Sequence, residues 1–354
     1  MRKAAVVCNY ILKRDRIGGM DRFFVLFDEQ LKEKGYAVDW FFTDYTTFEF
    51  YNKLNIYSAN NSSIEKKFLE NLSNYDIIIT HFTELCAKFY RDIKVNNPNS
   101  YVISVDHNPR PLAGFPLKKR IIKYIKSILY ASYIDKFIAV SKYSEEHLVN
   151  DFGKRIQKKI VVVYNGILSN NFLEKQSYRY GGRFIVACHL RKEKGIQFLI
   201  NAIGSLNTFD QKKIKVDIYG EGPYSETLKV LVNELNLETV ILFKGSVPNL
   251  HEIYYQYDYL IHPSLGETFC YTVVESLLCK LPVITTKCAG NVLGLVKNKR
   301  NGFIFEEADK KELTVILSDI INDIRTINKS NFESVILPDL SLSKMVYNHI
   351  NLLP

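Results

Sequence analysis

Residues 262–286 read HPSLGETFCYTVVESLLCKLPVITT. An apolar strand, YDYLIHPS (257–264), runs into a short loop carrying Glu267. Helical spacing then starts near Phe269 and lasts to about residue 280, and PVITT (282–286) is a second buried strand. Working outward, the same alternation fills the second half. Its other strands are RFIVACHL (183–190), KVDIYG (215–220) and TVILFKG (239–245), with helices near 194–206, 223–236, 249–256 and 310–325.

The first half repeats the pattern. Strands are predicted at 3–11, 37–42, 75–82, 101–107, 136–141 and 159–166, with helical stretches between them, the first over 20–35. Continuous Val/Ile strands alternating with helices indicate a parallel sheet covered on both faces. Residues 168–182, LSNNFLEKQSYRYGG, break the alternation as a linker. The expected architecture is α/β, with two tandem Rossmann-like, doubly wound domains at 1–170 and 183–335 and an active cleft between them. A last amphipathic helix (341–354) is expected to pack back onto the first domain.

The length of 354 residues and 47% apolar content suffice for two cores. Six cysteines (Cys8, Cys86, Cys188, Cys270, Cys279, Cys288) form no CxxC pair, so reduced thiols in a cytosolic protein are expected rather than a disulfide framework or a zinc site. The apolar N-terminus is followed by Lys13, Arg14, Asp15 and Arg16 and reads as a first buried strand rather than a signal peptide. No run reaches the ~18 apolar residues of a membrane span. The net charge of +9 is uneven: residues 1–170 carry 26 Lys+Arg against 18 Asp+Glu, while 171–354 carry 21 against 20. A basic first half suggests an anionic surface or partner there. Nucleic acid is not expected, since no recognised binding module is present.

Several residues carry chemistry. Free N–H groups and the dipole at the helix start near residue 269 favour a diphosphate. Glu267 precedes that start and Glu275 lies ~6–9 Å along the helix, so two carboxylates flank the anion and can take the hydroxyls of the sugars at its two ends. The plainer reading is two surface glutamates in a helix and its cap. In HLRKEKG (189–195), a cationic loop between strand and helix can neutralise a departing diphosphate, or it is a solvated basic loop. Gly18-Gly19 at the first strand–helix junction lets backbone approach a phosphate or sugar, or is a simple turn. His107 ends a strand, where cleft residues gather in open α/β sheets. His81 ends another, and His262 is read as structural.

The block 262–286 resembles the family 4 glycosyltransferases of the GT-B fold, whose hallmark is Glu, seven residues, Glu, between a Pro-Ser strand end and a Leu-Pro-Val-Ile strand. The resemblance extends over nearly the whole chain. It implies that Glu267 contacts the donor sugar and Glu275 the ribose, and that Phe269, Cys270 and Tyr271 offer backbone N–H groups to the phosphates. The family usually has Gly where Thr268 and Cys270 stand. Lys194-Gly195 match a Lys-Gly of the family. His189 occupies the place of a family Arg, with Arg191 two residues on. The resemblance places Gly18-Gly19 facing the cleft, His107 close to the reacting sugar, and Val247 of KGSVPN (244–249) against the base. Ser141, Asn165-Gly166 and the 220–223 turn are further echoes, whereas 288–305 departs from the family pattern.

The resemblance further implies a retaining glycosyltransferase moving a sugar from a nucleotide diphosphate donor, UDP-linked by family habit, to a glycan or lipid-linked precursor of a bacterial capsule, exopolysaccharide or related cell-surface polymer. No metal cofactor is expected, because no DxD triplet occurs. Alternatives are a GT-B-fold UDP-sugar 2-epimerase and a catalytically weak sugar-nucleotide-binding partner subunit. Residues 117–129, LKKRIIKYIKSIL, are either an interfacial helix on anionic lipid or an ordinary helix with an apolar core face. The expected location is cytoplasmic, with peripheral contact to the inner face of the cell membrane.

Overall fold

The computed structural model describes residues 2–14, 17–111, 114–168 and 172–354. Asp15 and Arg16 after the first strand, residues 169–171 of the linker and the boundary at 170 lie outside the described residues. The chain forms two compact units, Met1–Leu168 with Asp339–Pro354, and Ser169–Pro338.

The first unit holds a seven-stranded parallel sheet in the order β3-β2-β1-β4-β5-β6-β7. Its strands are β1 (Arg2–Leu12), β2 (Tyr36–Tyr45), β3 (Asn55–Ser58), β4 (Ile77–His81), β5 (Tyr101–Asp106), β6 (Lys136–Ala139) and β7 (Ile160–Val162). The run Ala4–Cys8 is wholly buried because β1 sits between two strands with both faces covered. Helices α1 (Gly19–Glu33), α2 (Ile64–Glu70), α3 (Lys88–Asn96), α4 (Leu117–Tyr130) and α5 (Lys142–Phe152) connect the strands. In α1, Met20, Phe23, Phe24, Phe27 and Leu31 form the buried stripe of an amphipathic helix. Ser141 caps α5, its hydroxyl accepting the Ser144 N–H at 3.1 Å.

The second unit holds a six-stranded parallel sheet in the order β10-β9-β8-β11-β12-β13. The strands are β8 (Arg183–Ala187), β9 (Lys215–Tyr219), β10 (Ile241–Gly245), β11 (Tyr259–His262), β12 (Val283–Thr286) and β13 (Gly302–Phe305). Its helices are α6 (Ile196–Gly204), α7 (Thr208–Gln211), α8 (Ser225–Glu234), α9 (Tyr271–Leu278), α10 (Lys310–Ile321) and α11 (Lys329–Glu333). A final helix, α12 (Leu342–Ile350), belongs to the first unit and packs on α1. Gly166 makes room for its entry: a Cβ there would stand 2.5 Å from the Leu342 Cα.

In each sheet the winding reverses next to the first strand, between β1 and β4 and between β8 and β11. Ligands of open α/β sheets bind outside the carboxyl ends of the strands at such a point. The loops that matter are therefore those after β1, β4, β8 and β11.

Several local expectations are corrected. β3 and β13 have no counterpart among the predicted strands. The predicted helix at 249–256 is two 3-10 turns, Leu250–Glu252 and Tyr254–Gln256. The helix predicted from 194 starts at Ile196, because Lys192–Lys194 is a 3-10 turn and Gly195 is left-handed at φ +70°. The helix placed at Phe269 starts at Tyr271, because Cys270 adopts a left-handed conformation at φ +67°. No described helix is long and apolar enough to cross a membrane.

Candidate active site

The two loops at the switch point of the second sheet are tied together. The Leu265 N–H donates to the Glu193 carbonyl at 2.8 Å. Gly195 lies so close to Pro263 that a Cβ would meet its carbonyl oxygen at 2.0 Å, so only glycine fits. This contact brings Lys194 beside Glu267. The Lys194 ammonium donates to Glu267 Oε1 at 2.5 Å, and the same oxygen is 3.1 Å from His262 Nε2. His262 Nε2 also stands 3.1 Å from Cys270 Sγ.

The electrostatics follow from this packing. Burial alone would raise the Glu267 pKa, but the Lys194 ammonium and His262 outweigh it and hold the carboxylate at about 2. Burial would lower His262, yet Cys270 and Glu267 lift it to about 9, so the imidazole is cationic at neutral pH. Burial disfavours charge on Lys194, and Glu267 more than compensates, raising it. Two cations thus converge on one carboxylate just before a helix start. His262, read from the sequence as structural, is a direct partner of Glu267. Its signal in the sequence was the position at the β11 end, five residues before Glu267.

The N–H groups of the first turn of α9 have no intrahelical carbonyl partners, as in any α-helix, and Cys270 supplies no side-chain cap. Phe269 and Cys270 are buried and Tyr271 is partly so. Glu275 lies within α9, where burial raises its pKa and a 3.3 Å hydrogen bond from the Tyr254 hydroxyl opposes this. His189 and Arg191 are exposed in the loop after β8, and Val247 is exposed after β10. The segment after β12 turns its amides elsewhere: the N–H groups of Cys288 and Ala289 donate to Glu307 Oε1 at 2.7 and 2.8 Å.

In the first unit, the Gly18 N–H donates to Asp21 Oδ2 at 2.8 Å, fixing the Gly18-Gly19 junction at the start of α1. Asp21 is fully buried and also accepts from the hydroxyls of Tyr10 (3.1 Å) and Tyr51 (2.9 Å). His107, just after β5, is buried against Phe82, with ring centroids 4.2 Å apart, and its Nε2 lies 3.0 Å from His81 Nδ1. His349 of α12 also stacks on His81, with ring centroids 6.3 Å apart. Burial depresses all three, and the neighbouring imidazoles add to it for His107 and His81: His107 falls to about 3, His349 to about 4, and His81 well below its usual value. They are neutral at physiological pH. Sequence reading missed Arg110, which clamps the loop after His107 by pairing with Asp106 (2.8 Å) and Asp151 (3.0 Å). It also missed His349, whose lone position in a terminal helix gave no cue.

Two tandem Rossmann-like parallel sheets, of seven and six strands, are the architecture of a GT-B protein. Residues 17–168 match the family described as Glycosyltransferase Family 4, and residues 171–331 match Glycosyl transferases group 1. The chain belongs to these family 4 glycosyltransferases. Among curated relatives, an uncharacterized glycosyltransferase of Haemophilus influenzae is 23% identical over 89% of this chain and 90% of its own length. The N-acetylgalactosamine-N,N'-diacetylbacillosaminyl-diphospho-undecaprenol 4-alpha-N-acetylgalactosaminyltransferase of Campylobacter jejuni is 28% identical over 57% of this chain and 54% of its own. The chain spans about half the length of several such relatives, between 50% and 56%. Among solved structures, Anabaena HepE in complex with UDP-glucose superposes with a TM-score of 0.74 at 18% identity, covering 100% of this chain and 99% of that one. The lipopolysaccharide outer core galactosyltransferase WaaB superposes with a TM-score of 0.73 at 15% identity, covering 99% and 98%.

Proposed function

We propose that this chain is a retaining glycosyltransferase that moves a sugar from a UDP-linked donor to a lipid-linked or glycan precursor of a bacterial cell-surface polysaccharide. The observation that carries the reading is the Lys194–Glu267–His262 cluster beside the start of α9. On donor binding, the Lys194 ammonium and the first-turn amides of α9 face the diphosphate, where negative charge grows as the glycosidic bond breaks. Glu267, held ionised, accepts from hydroxyls of the donor sugar, and Glu275 accepts from the ribose. Arg191 and His189 add donors to the phosphates, and Val247 borders the base. In the first unit, Gly18-Gly19 leave backbone open to a phosphate or sugar, and His107, neutral and buried, can hydrogen-bond a sugar hydroxyl without adding charge. These fixed cations neutralise the leaving group without a metal, so a chelator leaves turnover intact.

The acceptor side of the proposal rests on α4. Its apolar residues do not form a core face: Leu117, Ile121, Ile125, Ile128 and Leu129 are 48–69% exposed, and Ser127 is its one buried residue. Lys118, Lys119 and Arg120 are exposed beside them. An exposed apolar stripe bordered by lysine and arginine suits the interface of an anionic membrane, where a lipid-linked acceptor resides. The Campylobacter relative named for a diphospho-undecaprenol acceptor supports the same class. The chain then works as a peripheral protein on the cytoplasmic face.

A panel of UDP-, GDP- and ADP-sugars tests the reading. Selective thermal stabilisation by one UDP-sugar, with slow release of UDP and free sugar, is expected. Stabilisation by none of them, or by a non-uridine donor alone, contradicts it.

A further inference from the structure

His262 Nε2, Glu267 Oε1 and Cys270 Sγ lie within 4.8 Å of one another, and the two pairs involving His262 are each at 3.1 Å. Around a tetrahedral zinc ion with Zn–N and Zn–O of about 2.1 Å and Zn–S of about 2.3 Å, ligand atoms stand about 3.4–3.6 Å apart. The two pairs involving His262 already approach that spacing and need to part by only a few tenths of an ångström, while the Glu267 carboxylate and the Cys270 sulfur stand within 4.8 Å of each other. All three side chains are buried or nearly so, and they are held by different means: His262 by the end of β11, Glu267 by the following loop, and Cys270 by its left-handed backbone at the α9 cap.

We infer that His262, Glu267 and Cys270 form a binding site for a thiophilic divalent cation, Zn2+, and that its occupancy blocks the site beside α9. One imidazole, one carboxylate and one thiolate are the donor types zinc prefers. Binding forms Zn–N, Zn–O and Zn–S bonds, releases the Cys270 thiol proton and the His262 Nε2 proton to solvent, and leaves a fourth position to water. The thiolate selects against Mg2+ and Ca2+, which take oxygen ligands. Lys194 shares Glu267 Oε1 with the ion, so the metal expels the ammonium from its pairing position. The ion is thus a competing occupant and not a cofactor. This inhibitory consequence alone rests on the donor assignment above; the metal site itself rests on the geometry.

Cobalt substitution tests it, because Co2+ bound to a thiolate gives a charge-transfer absorption that zinc lacks. The purified full chain is expected to take up one Co2+ with that absorption, and one Zn2+ abolishes it by displacement. C270S is expected to lose the band and to bind Zn2+ at least tenfold more weakly, while C288S, which alters the exposed thiol, retains both. A wild-type chain without the band, or a band that survives in C270S or vanishes in C288S, overturns the site. With a donor in hand, Zn2+ is expected to inhibit competitively and a chelator to restore turnover. Zinc bound in the cobalt assay with turnover unaffected overturns the blocking role while leaving the site intact. The spectrum needs no donor, so it separates failure of the metal site from failure of the donor assignment.

Discussion

The Lys194 ammonium donates to Glu267 Oε1 across 2.5 Å, joining the loop after β8 to the loop after β11. This contact, together with His262, holds Glu267 ionised and favours the charged form of Lys194, beside the start of α9. Replacing Glu267 with Ala removes the carboxylate and leaves an ammonium with little solvent. Transfer is expected to fall at least ~100-fold, the scale of losing one preorganised electrostatic contact. Thermal stability is expected to fall as well, because breaking a buried pair strands the remaining charge. The double variant E267A/K194M restores most of that stability and none of the activity. Wild-type turnover by E267A defeats the assignment.

Acid acts on the first unit through its histidines. His107 and His349 titrate near 3 and 4 in the folded chain, below the ~6.5 of an unfolded histidine. Between those limits the unfolded chain binds more protons, so stability is full above pH ~6.5 and drains as pH falls. At pH 5 each contributes a loss of about 2 kcal/mol. Thermal melts from pH 7.5 to 5 are expected to show a falling Tm for wild type and a shallower fall for H349Q. Parallel profiles contradict the account.

The exposed stripe of α4 predicts vesicle binding. Cosedimentation with vesicles containing anionic phospholipid is expected to exceed that with neutral vesicles and to weaken with salt. The triple change I121S/I125S/I128S is expected to abolish it without lowering Tm, since these side chains are about half exposed in the folded chain. Binding undiminished by the triple change removes α4 from the interface.

Gly195 offers a backbone test. Alanine there faces the Pro263 carbonyl and a φ of +70°. G195A is expected to be destabilised by more than ~1 kcal/mol and to weaken donor binding by moving Lys194. Wild-type Tm and donor affinity for G195A contradict the proposed coupling of the two loops.

Much of this was legible in the chain, for physical reasons. Apolar strands such as 183–187 and helical spacing in 20–33 are local patterns, so alternation revealed both sheets. Asn55–Ser58 is a short edge strand whose place depends on its neighbour β2, and nothing local marks it. The pairing of Lys194 with Glu267 spans 73 residues and was readable only as two separate motifs. The contact of His262 with Cys270 was hidden because it depends on the left-handed backbone at Cys270. The exposure of α4 was undecidable from its sequence, since an apolar stripe reads alike whether it meets a core or a membrane.

The central claim is that Lys194 and the start of α9 grip a diphosphate. Calorimetric titration of the wild-type chain and of K194A with UDP and with uridine tests it most directly. The account predicts that K194A weakens UDP by roughly 10- to 100-fold, the worth of a charge-assisted hydrogen bond, and leaves uridine unchanged. Equal UDP affinity in the two proteins contradicts it.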